Sequence, residues 1–184
     1  MSHALNMTNK FLFDILFQHI LQHAIEQSKV DGVADYELAF YKVERAGFVA
    51  GQQLLDTLLP DGERREQLGR DHLECLKYLC KEMWQSAFGK MMDNLKTNRK
   101  ETFVMIDADF SWIKMFGEDA KNQEMTQLVI LYLAFPCGLL RGALIGFGMV
   151  AAVTAEIPAF PQCSFQVHLT PNENDIQMPS PSIE

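Results

Sequence analysis

Residues 128–169 read LVILYLAFPCGLLRGALIGFGMVAAVTAEIPAFPQCSFQVHL. With Gln123 to Gln127 ahead of it, the stretch to about Gly146 reads as one apolar helix with Gly138, Gly142 and Gly146 spaced by four. Gly146-Phe147-Gly148 then breaks the pattern. Val150 to Ile157 is strand-like. From Cys163 to Leu169, Cys163, Phe165, Val167 and Leu169 alternate with Ser164, Gln166 and His168, the period of a half-buried strand. A helix that delivers two adjacent strands predicts an antiparallel pairing.

The same stretch admits two other readings. Leu128 to Val153 is long and apolar enough to span a bilayer. Arg141, near its middle, costs roughly 2.5–3.5 kcal/mol there, which the surrounding Leu, Ile and Phe could offset. Pro136, the glycine break and the passage into a strand instead favour a helix buried in a soluble domain. Gly146-Phe147-Gly148-Met149-Val150-Ala151 spells a dinucleotide fingerprint. That motif must leave a strand and open a helix, and here the order is reversed.

Upstream, Phe103–Ile106 and Phe110–Phe116 are expected as two short strands around an Asp107-Ala108-Asp109 turn. A third helix is expected from about Arg65 to Leu95, with Leu73, Leu76, Cys80, Met83, Ala87 and Met91 on one stripe, ended by the polar, basic Asn94–Lys100. Pro60-Asp61-Gly62 is a turn. A second helix runs from about Asp35 to Leu59, with Gly47 and Gly51 notching its apolar stripe so that another backbone can approach. Met7–Gln27 reads as the first helix, with an apolar arc of about half its circumference. Ser28–Gly32 is a polar break.

The expected fold class is α/β of the α+β kind: a helical layer on one face of a small antiparallel sheet, in the order α-α-α-β-β-α-β-β. One domain is expected over residues 1–169. The Pro-, Asn-, Ser- and acid-rich residues 170–184 are expected to form a disordered tail.

The composition suits such a domain, with 48% hydrophobic and 22% charged residues. The formal net charge of −8 argues against a nucleic-acid partner, which needs a basic surface. The four cysteines, Cys75, Cys80, Cys137 and Cys163, form no CxxC pair and lie in apolar stretches. They are expected as reduced core thiols. The apolar stretch Phe11–Leu21 is interrupted by Asp14, Gln18 and His19, so no secretory signal is expected.

Chemistry-bearing constellations are weak. His19 and His23 have a zinc-compatible spacing, but Ile20 replaces the glutamate of the metalloprotease signature and no third ligand suggests itself. No nucleophile elbow or phosphate loop occurs. Neither a catalytic site, a metal nor a cofactor is expected.

Three blocks carry a family resemblance. They are Lys42-Val43-Glu44-Arg45-Ala46-Gly47-Phe48-Val49-Ala50-Gly51; Leu76-Lys77-Tyr78-Leu79-Cys80-Lys81-Glu82-Met83-Trp84 with Asp93-Asn94-Leu95-Lys96-Thr97-Asn98; and Tyr132 to Leu144 followed by Val153-Thr154-Ala155-Glu156 and Pro161 to Val167. In order and spacing they resemble the small subunits of TRAPP, the transport protein particle, most closely its subunit-6 branch. The resemblance implies an architectural, non-enzymatic subunit. Its partner would be a subunit-3-type protein of the same fold, paired as a heterodimer. The assembled complex would activate Rab GTPases and tether vesicles between endoplasmic reticulum and Golgi. The chain would be cytoplasmic and would meet membranes only through the complex. The subunit-3 branch carries an acyl chain on a cysteine before the third helix. The matching region here, Glu63–Arg70 near Glu66, has no cysteine.

On this reading the first two helices carry more apolar surface than one core can cover, and the excess marks a partner site. The candidate interface residues are Leu12, Ile15, Leu16, Ile20, Phe40, Val43, Gly47, Phe48, Gly51 and Leu55. The alternative is a small-molecule or acyl-binding domain on the same fold. A ligand-sized cavity lined by the third and fourth helices would be its mark.

Overall fold

A computed structural model of the chain describes residues 15–98, 102–114, 116–117 and 123–170. Residues 7–14 of the expected first helix and the tail from residue 171 lie outside the described residues.

Helix α1 covers described residues 15–26. Where a polar break was expected, the chain makes a small hairpin of β1 (Lys29–Val30) and β2 (Val33–Ala34). Asp31 and Gly32 at its tip both take positive φ, as a tight two-residue turn requires. Helix α2 (Tyr36–Leu58) starts at Asp35, whose carboxylate accepts the Leu38 N–H at 2.9 Å.

The expected third helix is not one helix. It is α3 (Gly62–Gly69), α4 (His72–Tyr78), a π-helical turn (Leu79–Met83) and α5 (Trp84–Phe88). Asp61 caps α3 through the N–H groups of Glu63 and Arg64, and Asp71 caps α4 through those of Leu73 and Glu74. A second N-cap in mid-run restarts the helix. Gly89, at φ 80°, ends α5 in a left-handed turn several residues before the expected end.

The residues released by that early stop make strand β3 (Asn94–Thr97), which pairs with β4 (Thr102–Asp107). The hairpin is therefore β3–β4, and the described residues 110–114 and 116–117 form turns in place of the expected second strand. Phe110 and Ile113 are fully buried in those turns, with the Phe110 N–H donating to the Pro161 carbonyl at 3.2 Å. Their hydrophobicity reflects burial, which a strand and a packed turn share.

Helix α6 (Gln123–Gly146) leads to β5 (Ala151–Ala159) and β6 (Gln162–Leu169). The four-stranded sheet has the order β3-β4-β6-β5, antiparallel throughout. Phe103, Met105, Cys163, Phe165, Val167 and Leu169 turn their side chains to the core. The chain is thus an antiparallel sheet with packed helices, the fold class expected. Met125–Gly146 is long and apolar enough to cross a membrane, with mean hydropathy 2.0, yet 78% of its most apolar window is buried inside the fold.

Candidate partner interface

Helices α2 and α6 meet backbone to backbone. A Cβ added to Gly47 would collide with the Phe135 carbonyl oxygen, and one on Gly51 with that of Leu139. The contact is reciprocal: a Cβ on Gly138 would strike the Glu44 carbonyl and one on Gly142 that of Phe48. Four glycines, two per helix, thus set the helix separation. The Arg141 guanidinium binds both carboxylate oxygens of Glu44 and lies 4.8 Å from the Phe48 ring centre.

This lock corrects part of the expected interface. Val43, Gly47, Gly51 and Leu55 are buried inside the chain, and they meet its own core in place of a partner. The notch is the close-packing site expected, and the neighbour it admits is α6. The overlooked signal was the matching pair Gly138 and Gly142 on a second apolar helix. Phe48 and Phe40 are half-buried, Phe48 beneath Arg141 and Phe40 edge-on to Tyr41. Leu12 lies outside the described residues. Ile15, Leu16 and Ile20 are exposed on α1, while Phe17, Leu21 and Ala24 turn inward, Phe17 stacking among Trp112, Tyr132 and Phe135.

Of the fourteen large apolar side chains exposed among the described residues, eight fall between Ile15 and Val49: Ile15, Leu16, Ile20, Val30, Val33, Leu38, Tyr41 and Val49. Leu38, Tyr41 and Val49 share the face of α2 opposite Gly47. These three, and the hairpin valines, were missed. On α2 the glycines mark the inner face, and no comparable signal marks the outer one. In the hairpin, two strands of two residues are too short to show a period.

Elsewhere the chemistry is quiet. All four cysteines are free and buried. Burial pushes Cys80, Cys137 and Cys163 up to about 12. Burial, and then the nearby Asp71 carboxylate, raise Cys75 too. Such thiols are poor nucleophiles at neutral pH. His19 and His23 are exposed, and among the described residues no three His, Cys, Asp or Glu side chains gather as they would around a metal ion. Asp107 is fully buried but satisfied, accepting from Trp84 Nε1 at 3.0 Å, Lys90 Nζ at 2.6 Å and the Asp109 N–H at 3.0 Å. A groove of about 440 Å³ runs between α4 and β3, lined by Leu68, Tyr78, Cys80, Met92 and Leu95 among others. It takes no residue from α6, so it is not the cavity that would mark an acyl-binding domain.

Residues 13–170 match the family described as Transport protein particle (TRAPP) component. The chain belongs to the TRAPP component family. Trafficking protein particle complex subunit 6b of Danio rerio is 34% identical over 161 residues, covering 88% of this chain and 97% of that protein. Human trafficking protein particle complex subunit 6A is 35% identical over 164 residues with the same coverages, and human subunit 6B 32% identical over 161. Among solved structures, a trafficking protein particle complex subunit 3 from Naegleria fowleri, covalently bound to palmitic acid, matches with TM-score 0.70. It covers 90% of this chain and 97% of that one at 14% identity, a likeness of fold. These relatives are named as subunits of a trafficking protein particle complex, and the lock between α2 and α6 falls in the first and third sequence blocks that carried the resemblance.

Proposed function

We propose that this TRAPP chain is a non-catalytic architectural subunit of a complex that tethers vesicles and activates Rab GTPases between endoplasmic reticulum and Golgi. Its partner is a subunit-3-type protein of the same fold, joined through α1 and the outer face of α2. The Rab GTPase and the membrane are met by the assembled complex. The observation that carries this reading is the crowding of eight exposed large apolar side chains into residues 15–49. Exposed apolar surface of that density is costly in a monomer and marks an interface. A standard interface buries roughly 1,600 Å² in total. The acyl-binding alternative finds no support in the α4–β3 groove, and Glu63–Arg70 offers no cysteine to acylate.

The decisive experiment is purification of the tagged chain from its own cells, with mass spectrometry of what accompanies it. Other TRAPP subunits in stoichiometric amounts are expected, with a subunit-3-type protein retained through gel filtration. A chain that elutes alone as a monomer would overturn the proposal.

A further inference from the structure

The hairpin between α1 and α2 carries two valines in an unusual place. Val30 and Val33 face each other across its turn and are 59% and 72% exposed. Cross-strand partners lie on one face of a hairpin, so the two form a single apolar tip. The base of that tip is fixed. Ser28, 1% exposed, donates its hydroxyl to the Ala24 carbonyl, the Asp35 N–H donates to the Ser28 carbonyl at 2.9 Å, and Lys42 of α2 donates to the Gln27 carbonyl at 2.6 Å. The tip is also continuous with the surface of α1. A groove of about 500 Å³ joins the two, lined by His19, Gln22, His23, Ile25 and Glu26 of α1 and by Lys29 of β1.

We infer that Val30 and Val33 are a preorganised apolar anchor that inserts into the paired subunit, extending the α1–α2 interface beyond the helices. The inference rests on the proposed pairing. A rigid tip loses little conformational freedom on binding, so its burial is gained almost undiminished. β-propensity alone would also favour valine beside a turn, but threonine satisfies that preference equally. Threonine has nearly the shape of valine and carries a hydroxyl that an apolar pocket leaves unpaired.

The test compares Val30→Thr/Val33→Thr with Leu16→Asp, each titrated against the purified subunit-3-type partner by calorimetry, with thermal melts of the isolated chains as controls. With an unchanged melt, the valine pair should weaken the Kd about tenfold or more. If the double variant melts lower than the parent, Val33→Thr alone decides by the same criterion. Loss of pairing in Leu16→Asp with the threonine variant within twofold of the parent overturns the anchor and leaves the helical interface standing. Pairing intact in both overturns anchor and interface together. A homodimer of the isolated chain that the threonines dissociate would assign the tip to a second copy and likewise overturn the inference.

Discussion

Arg141 and Glu44 are joined by two hydrogen bonds, Nε to Oε1 at 2.6 Å and a terminal guanidinium nitrogen to Oε2 at 2.7 Å. The pair explains how a helix of mean hydropathy 2.0 carries an arginine in its apolar C-terminal half. The charge is answered from α2 by Glu44, one helical turn before Phe48, and the Glu44 carbonyl itself packs against Gly138 of α6. Glu44 is the more buried partner, 14% exposed against 40% for Arg141. Arg141→Met therefore strands a carboxylate in a largely apolar site. The expected loss is about 2 kcal/mol, below the 3–5 of a fully buried pair because water reaches the guanidinium. Adding Glu44→Leu should restore part of it. Urea unfolding of both single variants and the double closes the cycle, and strictly additive losses would show that the bridge contributes nothing.

The glycine lock makes a second prediction. Gly142→Ala places a methyl against the Phe48 carbonyl, which is backbone and cannot swing aside. The helices must separate, at a cost of about 2–3 kcal/mol or a fall in Tm of roughly 5–10 °C for a chain of this length. Gly62→Ala is the control, since nothing lies within 4 Å of an added Cβ and its φ is ordinary. It should leave Tm unchanged or slightly raised. Equal melts for the two variants would remove the lock from the account of stability.

How much of this was legible in the sequence depends on what each signal encodes. The alternation from Cys163 to Leu169 appears as strand β6, and α2 and α6 start and stop within a residue or two of expectation. Periodicity reports a buried face directly. It does not report what buries it, so Gly47 and Gly51 announced a close neighbour without naming α6. Boundaries set by a single residue were lost, as at the Asp71 cap and at Gly89, where the apolar stripe runs on from Ala87 to Met91. Phe110, Trp112 and Ile113 show the limit of composition: aromatic and β-branched residues in a tightly packed turn have the same content as a strand.

The cysteines give a prediction about reactivity. With Cys80, Cys137 and Cys163 at about 12 and Cys75 also raised, almost no thiolate exists at neutral pH. A maleimide should leave the native chain unlabelled over minutes at pH 7 and modify all four thiols after addition of denaturant. Rapid native labelling of one cysteine would identify a reactive site that the fold does not account for.

Stability in acid should report Asp93. Its carboxyl accepts from Lys90 at 2.8 Å and from the Ala108 N–H at 2.7 Å, and these two hydrogen bonds hold it below the usual carboxylate range. A carboxyl depressed in the folded state adds stability above its unfolded pKa, and that stability is lost as pH falls through the folded value. The window therefore lies below about pH 4. Nearly half the side chain is exposed, so the effect is less than about 1 kcal/mol. Urea midpoints followed from pH 6 to pH 3 should fall less steeply in Asp93→Asn than in the parent. Parallel curves would show that the Lys90 bridge adds nothing in solution.

The interface makes the last prediction, because the two faces of α2 must respond in opposite ways. Val43 is fully buried toward α6, and Val43→Asp puts an unpaired carboxylate into the core. That variant should fail to fold, and its loss of pairing would carry no information about an interface. Leu16 and Val49 lie exposed on α1 and on the outer face of α2. Leu16→Asp/Val49→Asp should therefore leave the melt of the isolated chain near that of the parent. Two anchors of about 2 kcal/mol each weaken Kd by roughly two to three orders of magnitude if their effects add. Gel filtration of the doubly substituted chain with a subunit-3-type partner at micromolar concentration should then show two separate peaks. A heterodimer that survives both aspartates, with Val43 still folded beneath it, would place the partner on a face other than α1 and α2.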